Sequence, residues 1–198
     1  MIAAVLLAAG ESKRMGAPKM SLPWVRDRSV IAEMVEIFRE GGASPIIVVT
    51  GGDRQVVEDS LAGADVHIVH NPNFARGEML SSVKSGLIAV QEFSVDAVMV
   101  CPGDLPLLLA DTVCALIERW QRDPQAILVP SYQDRRGHPV VLAKEVWPSI
   151  LALGEDQTLR EYLKKNETSI AYLVVEDPGI RVDIDTPKEY RNALRDAE

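Results

Sequence analysis

Directly after an apolar opening run, the segment Leu7-Ala8-Ala9-Gly10-Glu11-Ser12-Lys13-Arg14-Met15-Gly16-Ala17-Pro18-Lys19 sets two glycines and several small residues beside three cations. Small residues let a backbone approach a ligand closely, and the amides of a turn cradle phosphate oxygens. Arg14 offers a planar fork to phosphate and Lys19 a point charge. The competing account is an ordinary solvated loop between a strand and a helix. Two common phosphate signatures are missing. Five residues, not four, separate Gly10 from Gly16, no lysine follows the second glycine directly, and there is no G-x-G-x-x-G.

Two further segments supply acids. Asp104 follows Gly103 at the end of the apolar run Val100-Cys101, where its carboxylate would project from the carboxyl edge of a sheet. That suits magnesium, a hard cation that takes carboxylate oxygens and keeps several waters. An aspartate there also serves simply to organise its own turn. With 180–184 read as extended, Asp183 and Asp185, two apart at its end, would both face one side. Asp185 or Thr186 is equally placed to cap a terminal helix that has Pro187 in its first turn.

These residues must be held by a fold, and the chain has the means to build one. Its 198 residues are 47% hydrophobic and 25% charged, a globular mix that suits one compact domain over 1–198. The net charge of −8 argues against a nucleic-acid surface, which needs a basic face, but not against a small anion met by converging cations. Cys101 and Cys114 form no metal-binding spacing and read as reduced core residues of a cytoplasmic protein. The opening run lacks a basic leader and is read as a buried strand rather than a signal peptide. No apolar stretch reaches the length that crosses a membrane.

Apolar runs of strand length alternate with helical periods, the pattern of βαβ units and a parallel sheet. Strands are expected at 2–7, 45–50, 66–69, 97–101, 126–129, 139–142 and 170–175. The turn-rich 131–137 marks an antiparallel excursion at one edge of the sheet. Ser29 caps a helix that turns Ile31, Met34, Val35 and Phe38 inward and stops at Gly41-Gly42. Asp53 is expected to cap 54–61, and Asp111 to cap 111–121. In 79–91 the inward residues would be Leu80, Val83, Leu87 and Ile88. Shorter helices are expected at 145–151 and 159–164, and a terminal one at 187–195. The fold class is α/β, Rossmann-like and doubly wound, with a mostly parallel sheet and its site at the strands' carboxyl ends.

Taken together, the segments resemble the NTP-transferase family related to molybdenum-cofactor nucleotidyltransferases, and its cytidylyl branch most closely. Residues 7–19 are similar to the leading signature L-A-A-G-x-S-x-R-M-G-x-P-K. G-E-M-L-S-S-V-K-S-G at 77–86 looks like the base-side segment, and P-G-D-L-P at 102–106 like the metal-aspartate loop. R-G-H-P at 136–139 looks like an acceptor-side turn, and D-I-D-T-P at 183–187 like a second metal segment. Five segments in the family's order span nearly the whole chain. This chain departs from the pattern at Leu80, where a serine or small residue is usual, and at Leu105, where members vary.

The resemblance implies a nucleotide-diphospho-sugar-transferase-like fold and a magnesium-dependent transfer of CMP from CTP to a small phosphorylated acceptor, the molybdenum (molybdopterin) cofactor. It implies nucleotide contacts at Leu7, Ala8, Ala9, Gly10, Ser12, Arg14, Lys19, Ser81, Ser82 and Gly103, with Lys19, Arg14 and Asp104 catalytic. Asp104 and Asp185 would hold magnesium, and Gly137 and His138 would face the acceptor, His138 being equally suited to bonding within its own turn. His67 and His70 are read as structural. A molybdoenzyme partner is a further implication, while nucleic acid and membrane are not expected. Rival readings are a same-fold transferase using GTP or a sugar or alditol phosphate, a non-catalytic accessory that inserts the cofactor, and a dinucleotide-binding oxidoreductase.

Overall fold

The computed structural model describes residues 1–10, 12, 14–76 and 78–197, residue 78 by its backbone alone. Glu11, Lys13 and Gly77, singled out above, lie outside the described residues. The strands are β1 (Ile2–Ala8), β2 (Ile46–Thr50), β3 (His67–His70), β4 (Ala97–Pro102), β5 (Ile127–Tyr132), β6 (Arg135–Arg136), β7 (Val140–Ala143) and β8 (Ile170–Val174). The helices are α1 (Val30–Glu40), α2 (Arg54–Ser60), α3 (Glu78–Val90), α4 (Ala110–Arg122), α5 (Trp147–Leu151), α6 (Leu159–Lys165) and α7 (Pro187–Ala197).

One eight-stranded sheet runs β3-β2-β1-β4-β7-β5-β6, with β8 paired to β5. β1 is parallel to both β2 and β4, and β3 to β2. Two strands run antiparallel: β7, which lies inside the sheet between β4 and β5 rather than at an edge, and the short β6 at the edge beside β5. β5 and β8 resume the parallel sense. All seven residues of β1 are apolar and buried, as a strand covered on both faces requires. Ala4, Leu6 and Ala8 face Ile31, Met34 and Phe38 of α1 and Val113, Leu116 and Trp120 of α4. Ala3, Val5 and Leu7 face Val83 and Leu87 of α3 and Trp147 of α5. A third, small core sets Ile184 and Ala193 of the C-terminal segment against Trp24 and Val30. No helix among the described residues is long and apolar enough to cross a membrane.

Ser29 caps α1 as expected, its Oγ accepting from the Ala32 amide at 3.2 Å. Five local expectations are corrected. Asp53 precedes α2 but makes no capping bond, because its backbone (φ −97°, ψ 34°) is not extended as a cap requires. Asp111 does not cap α4, which begins at Ala110 after Leu109. The buried Asp177 carboxylate does that work from far along the chain. Its Oδ2 accepts from the Leu109 amide (3.0 Å) and the Thr112 hydroxyl (2.7 Å), and its Oδ1 from the Gly179 amide (2.8 Å). Asp177 thereby holds 178–181 in a 3-10 turn, so 180–184 is not a strand. Ile88 is exposed, because Leu80, Val83, Leu87 and Val90 already define the buried face of α3. Cys114, expected in the core, lies on the outer face of α4, whose buried side is Thr112, Val113, Leu116 and Trp120.

Candidate active site

β2 lies on one side of β1 and β4 on the other, so the chain reverses its winding at the carboxyl ends of β1 and β4. Loops diverge at such a point and leave a crevice. Here the crevice is a cavity of about 360 Å³. The Gly103 amide donates to the Leu7 carbonyl at 2.9 Å and binds the two loops together. A Cβ on Gly103 would stand 3.1 Å from both that carbonyl oxygen and Ile31 Cδ1, so glycine permits the close approach.

After β1 the chain turns sharply. Ser12 has φ 49° and Gly16 φ 69°. The Ser12 carbonyl accepts from the Met15 amide, and Ser12 Oγ accepts from the Lys19 amide, both at 2.9 Å. This turn sends the Lys19 side chain inward between two carboxylates. Its Nζ donates to Asp104 Oδ2 at 2.5 Å and to Asp185 Oδ1 at 3.0 Å, while Arg14 donates to Asp185 Oδ2 at 2.8 Å. Arg14 is largely exposed, whereas Lys19 and Asp104 are nearly enclosed.

The placement of Asp185 follows from local competition. Thr186 Oγ1 accepts from the Glu189 amide at 3.3 Å, and the Glu189 carboxylate accepts from the Asp185 amide (3.1 Å) and the Thr186 hydroxyl (2.9 Å). Thr186 and Glu189 therefore cap α7, and the Asp185 carboxylate is left to face Lys19. The Ile184 amide donates to the Asp104 carbonyl at 3.1 Å, which ties the two acidic segments together.

Burial works against the Lys19 charge, but Asp104 and then Asp185 outweigh it and hold the ammonium above the ordinary lysine range. Burial likewise opposes ionisation of Asp185, yet Lys19 and Arg14 bring its carboxyl below the usual range. Asp183, raised by burial and by the charges of Asp104 and Asp185, stands beside them without a cation of its own among the described residues. Asp104 Oδ1 is buried and has no hydrogen-bond partner there. An orphaned carboxylate oxygen beside a second carboxylate fits a hard cation. No group of three or more histidine, cysteine or acidic side chains suited to a metal occurs among the described residues.

Of the residues expected at a site, Leu7, Ala9, Gly10, Ser12, Arg14, Lys19, Ser82, Asp104 and Asp185 line the cavity together. Ala8 is fully buried in the sheet core. Ser81 opens onto a neighbouring depression with Arg76 and Lys84. Gly137 and His138 are not among the cavity's lining residues. A Cβ on Gly137 would meet the Ile180 carbonyl at 2.4 Å, and the His138 amide donates to that carbonyl at 2.8 Å. The pair thus supports the segment that leads to Asp183 and Asp185. Leu80 and Leu105, the two departures from the family pattern, are both core residues. Sequence reasoning missed Met15, Met20, Phe74, Met79 and Pro102, which give the cavity its apolar walls, and Asn71 behind Ser82. Apolar residues near a strand end carry no signal that separates lining from core, but the Asn71-Pro72-Asn73 turn after β3 could have been flagged.

Residues 4–170 match the MobA-like NTP transferase domain. The chain is 29% identical to the molybdenum cofactor cytidylyltransferase of Escherichia coli (strain K12), over 96% of this chain and 93% of that one. It is also 28% identical to the nicotine blue oxidoreductase of Paenarthrobacter nicotinovorans, over 98% and 96% of the two chains. Among solved structures, Rv0371c of Mycobacterium tuberculosis H37Rv superposes with a TM-score of 0.81 at 25% identity, over 98% of this chain and 97% of that one. A manganese complex of that mycobacterial protein gives 0.79 at 25% identity, over 98% of each chain. With the doubly wound sheet, the loop after β1 and a match over most of its length, this chain belongs to the MobA-like NTP transferase family of nucleotidyltransferases.

Proposed function

We propose that the protein transfers CMP from CTP to the molybdenum (molybdopterin) cofactor, a phosphorylated small molecule, and releases pyrophosphate. The observation that carries this reading is the meeting of Asp104 and Asp185 on the Lys19 ammonium, in the loop after β1. The choice of base and acceptor leans on the name of the Escherichia coli relative. The proposed setting is the cytoplasm, with a molybdoenzyme as recipient of the product.

In this reading, a phosphate oxygen of the acceptor attacks the α-phosphorus of CTP in line. The bond from that phosphorus to the β-bridging oxygen breaks, and pyrophosphate leaves with the electron pair. A phosphate monoester has a second pKa of about 6, so the nucleophile is already ionised near neutrality and no protein base is needed. The protein's task is positioning and charge. Arg14 and Lys19 grip the triphosphate and offset charge growing on the leaving group. Asp104 and Asp185 would hold magnesium, which when bound supplies charge neutralisation to the phosphate oxygens. Gly137 and His138 serve the acceptor side indirectly, through the 180–185 segment they support.

Asp104→Asn keeps the shape of the side chain and removes its charge. Pyrophosphate release with CTP, magnesium and acceptor is expected to fall at least about a hundredfold, with the thermal midpoint nearly unchanged. Undiminished turnover would overturn the assignment. The same assay with the other three NTPs, and with sugar and alditol phosphates, tests the neighbouring transferase readings. NTP binding without pyrophosphate release from any acceptor would favour the accessory reading. The relative called an oxidoreductase motivates one more arm, since a raised melting temperature with NAD would favour a redox role for the cavity.

A further inference from the structure

Asn71 follows β3 directly and is almost wholly buried, at 1% exposure. Its amide donates to the Thr50 carbonyl at 2.8 Å, continuing the β2–β3 ladder by one bond. Its side-chain Oδ1 accepts from the Asn73 amide at 2.9 Å. That bond fixes which way round the carboxamide lies, because a backbone N–H can meet only the oxygen end. The NH2 end therefore faces α3, where Nδ2 is 2.8 Å from Ser81 Oγ and 3.0 Å from Ser82 Oγ. An NH2 group only donates, so both serine oxygens accept from it.

Ser82 is itself 4% exposed and lines the cavity. Having accepted from Asn71, its hydroxyl keeps one proton to give, and it gives that proton to no group among the described residues. We infer that Asn71 is a positioning residue: it fixes the polarity of Ser82, so that the cavity offers a hydroxyl donor to an acceptor atom on the nucleobase, the 2-oxo group of cytosine. This rests on the nucleotide reading above, but it assigns Asn71, which touches neither the phosphates nor the cations.

Substituting Asn71→Asp preserves the shape while replacing the NH2 donor by a carboxylate oxygen that accepts from Ser82. Ser82 then gives its proton backwards and shows the cavity only lone pairs. CTP and 2-thio-CTP, whose 2-position sulfur is a poorer acceptor, are to be compared by calorimetric binding. The wild type is expected to prefer CTP by about tenfold, the worth of one hydrogen bond that leaves a partner unmet when lost. N71D and Ser82→Ala are each expected to abolish the preference, and the double variant to lose no more than S82A alone. Since S82A removes one oxygen only, it keeps the test open should N71D unfold. A preference that persists in S82A, a double variant that loses additively, or a wild type indifferent to the 2-position would each overturn the inference. Because the readout is binding, it is separate from pyrophosphate release: CTP preference without turnover would sink the transferase reading and leave this one standing.

Discussion

Burial holds the His138 imidazole below the ordinary histidine range, despite a hydrogen bond to the Val100 backbone and the nearby Asp183 carboxylate. Its Nδ1 is sealed off without a partner among the described residues. The folded protein therefore resists a proton that the unfolded chain takes readily. Above about pH 6.5, the unfolded value, His138 contributes nothing to the pH dependence of stability. As pH falls below that value toward the lower folded one, the unfolded state binds the extra proton and stability declines. His138→Gln is expected to flatten that part of the acid limb in a series of thermal midpoints from pH 8 to pH 5. Identical slopes for the two proteins would contradict it. At this scale the charges of the site were legible in sequence: Arg14, Lys19, Asp104 and Asp185 all stand in the crevice. Their pairing was not, because which anion a lysine meets depends on loops brought together from across the chain. Asn71 was invisible as a donor for a similar reason. A turn asparagine and a hydroxyl-orienting one differ only in what packs above them.

Among the elements, α3 packs directly on the sheet through Gly86. An added Cβ on Gly86 would stand 2.3 Å from Val5 Cγ1 and 3.3 Å from Val49 Cγ2, so the absence of a side chain is what lets the helix settle on β1 and β2. Gly86→Ala forces α3 outward and is expected to cost about 1–3 kcal/mol, the usual penalty for overpacking, read as a lower thermal midpoint. Ser82 rides on the same helix, so nucleotide affinity is expected to weaken alongside. Val5→Ala, which vacates the clashing methyls, should restore much of both losses. If G86A melts like the wild type, the close approach is not a constraint. The strands and most helices were readable because burial on both faces writes long apolar runs, as in β1. One error came from a periodic reading that ran one residue too far, at Ile88, and others from a distant group that replaced a local one. Asp177 capping α4 in place of Asp111 is of the second kind. Capping from across the chain leaves no mark in the local sequence.

Over the whole molecule, the turn after β4 supplies one carboxylate and the C-terminal segment the other. The family match ends at residue 170, whereas Asp185 precedes α7, held by the small core of Trp24, Val30, Ile184 and Ala193. A chain ending at residue 182 keeps both large cores and is expected to retain its far-ultraviolet dichroism and cooperative melting while losing measurable pyrophosphate release. Activity in that truncated chain would show that the second carboxylate is dispensable. The joining of Lys19 and Arg14 to Asp104 and Asp185 has a consequence for how tightly any substrate can be held. Two cations already answer two anions, so an arriving polyphosphate does not fill a vacant charge but must trade places with a carboxylate. Affinity there measures the difference between two complete sets of ion pairs.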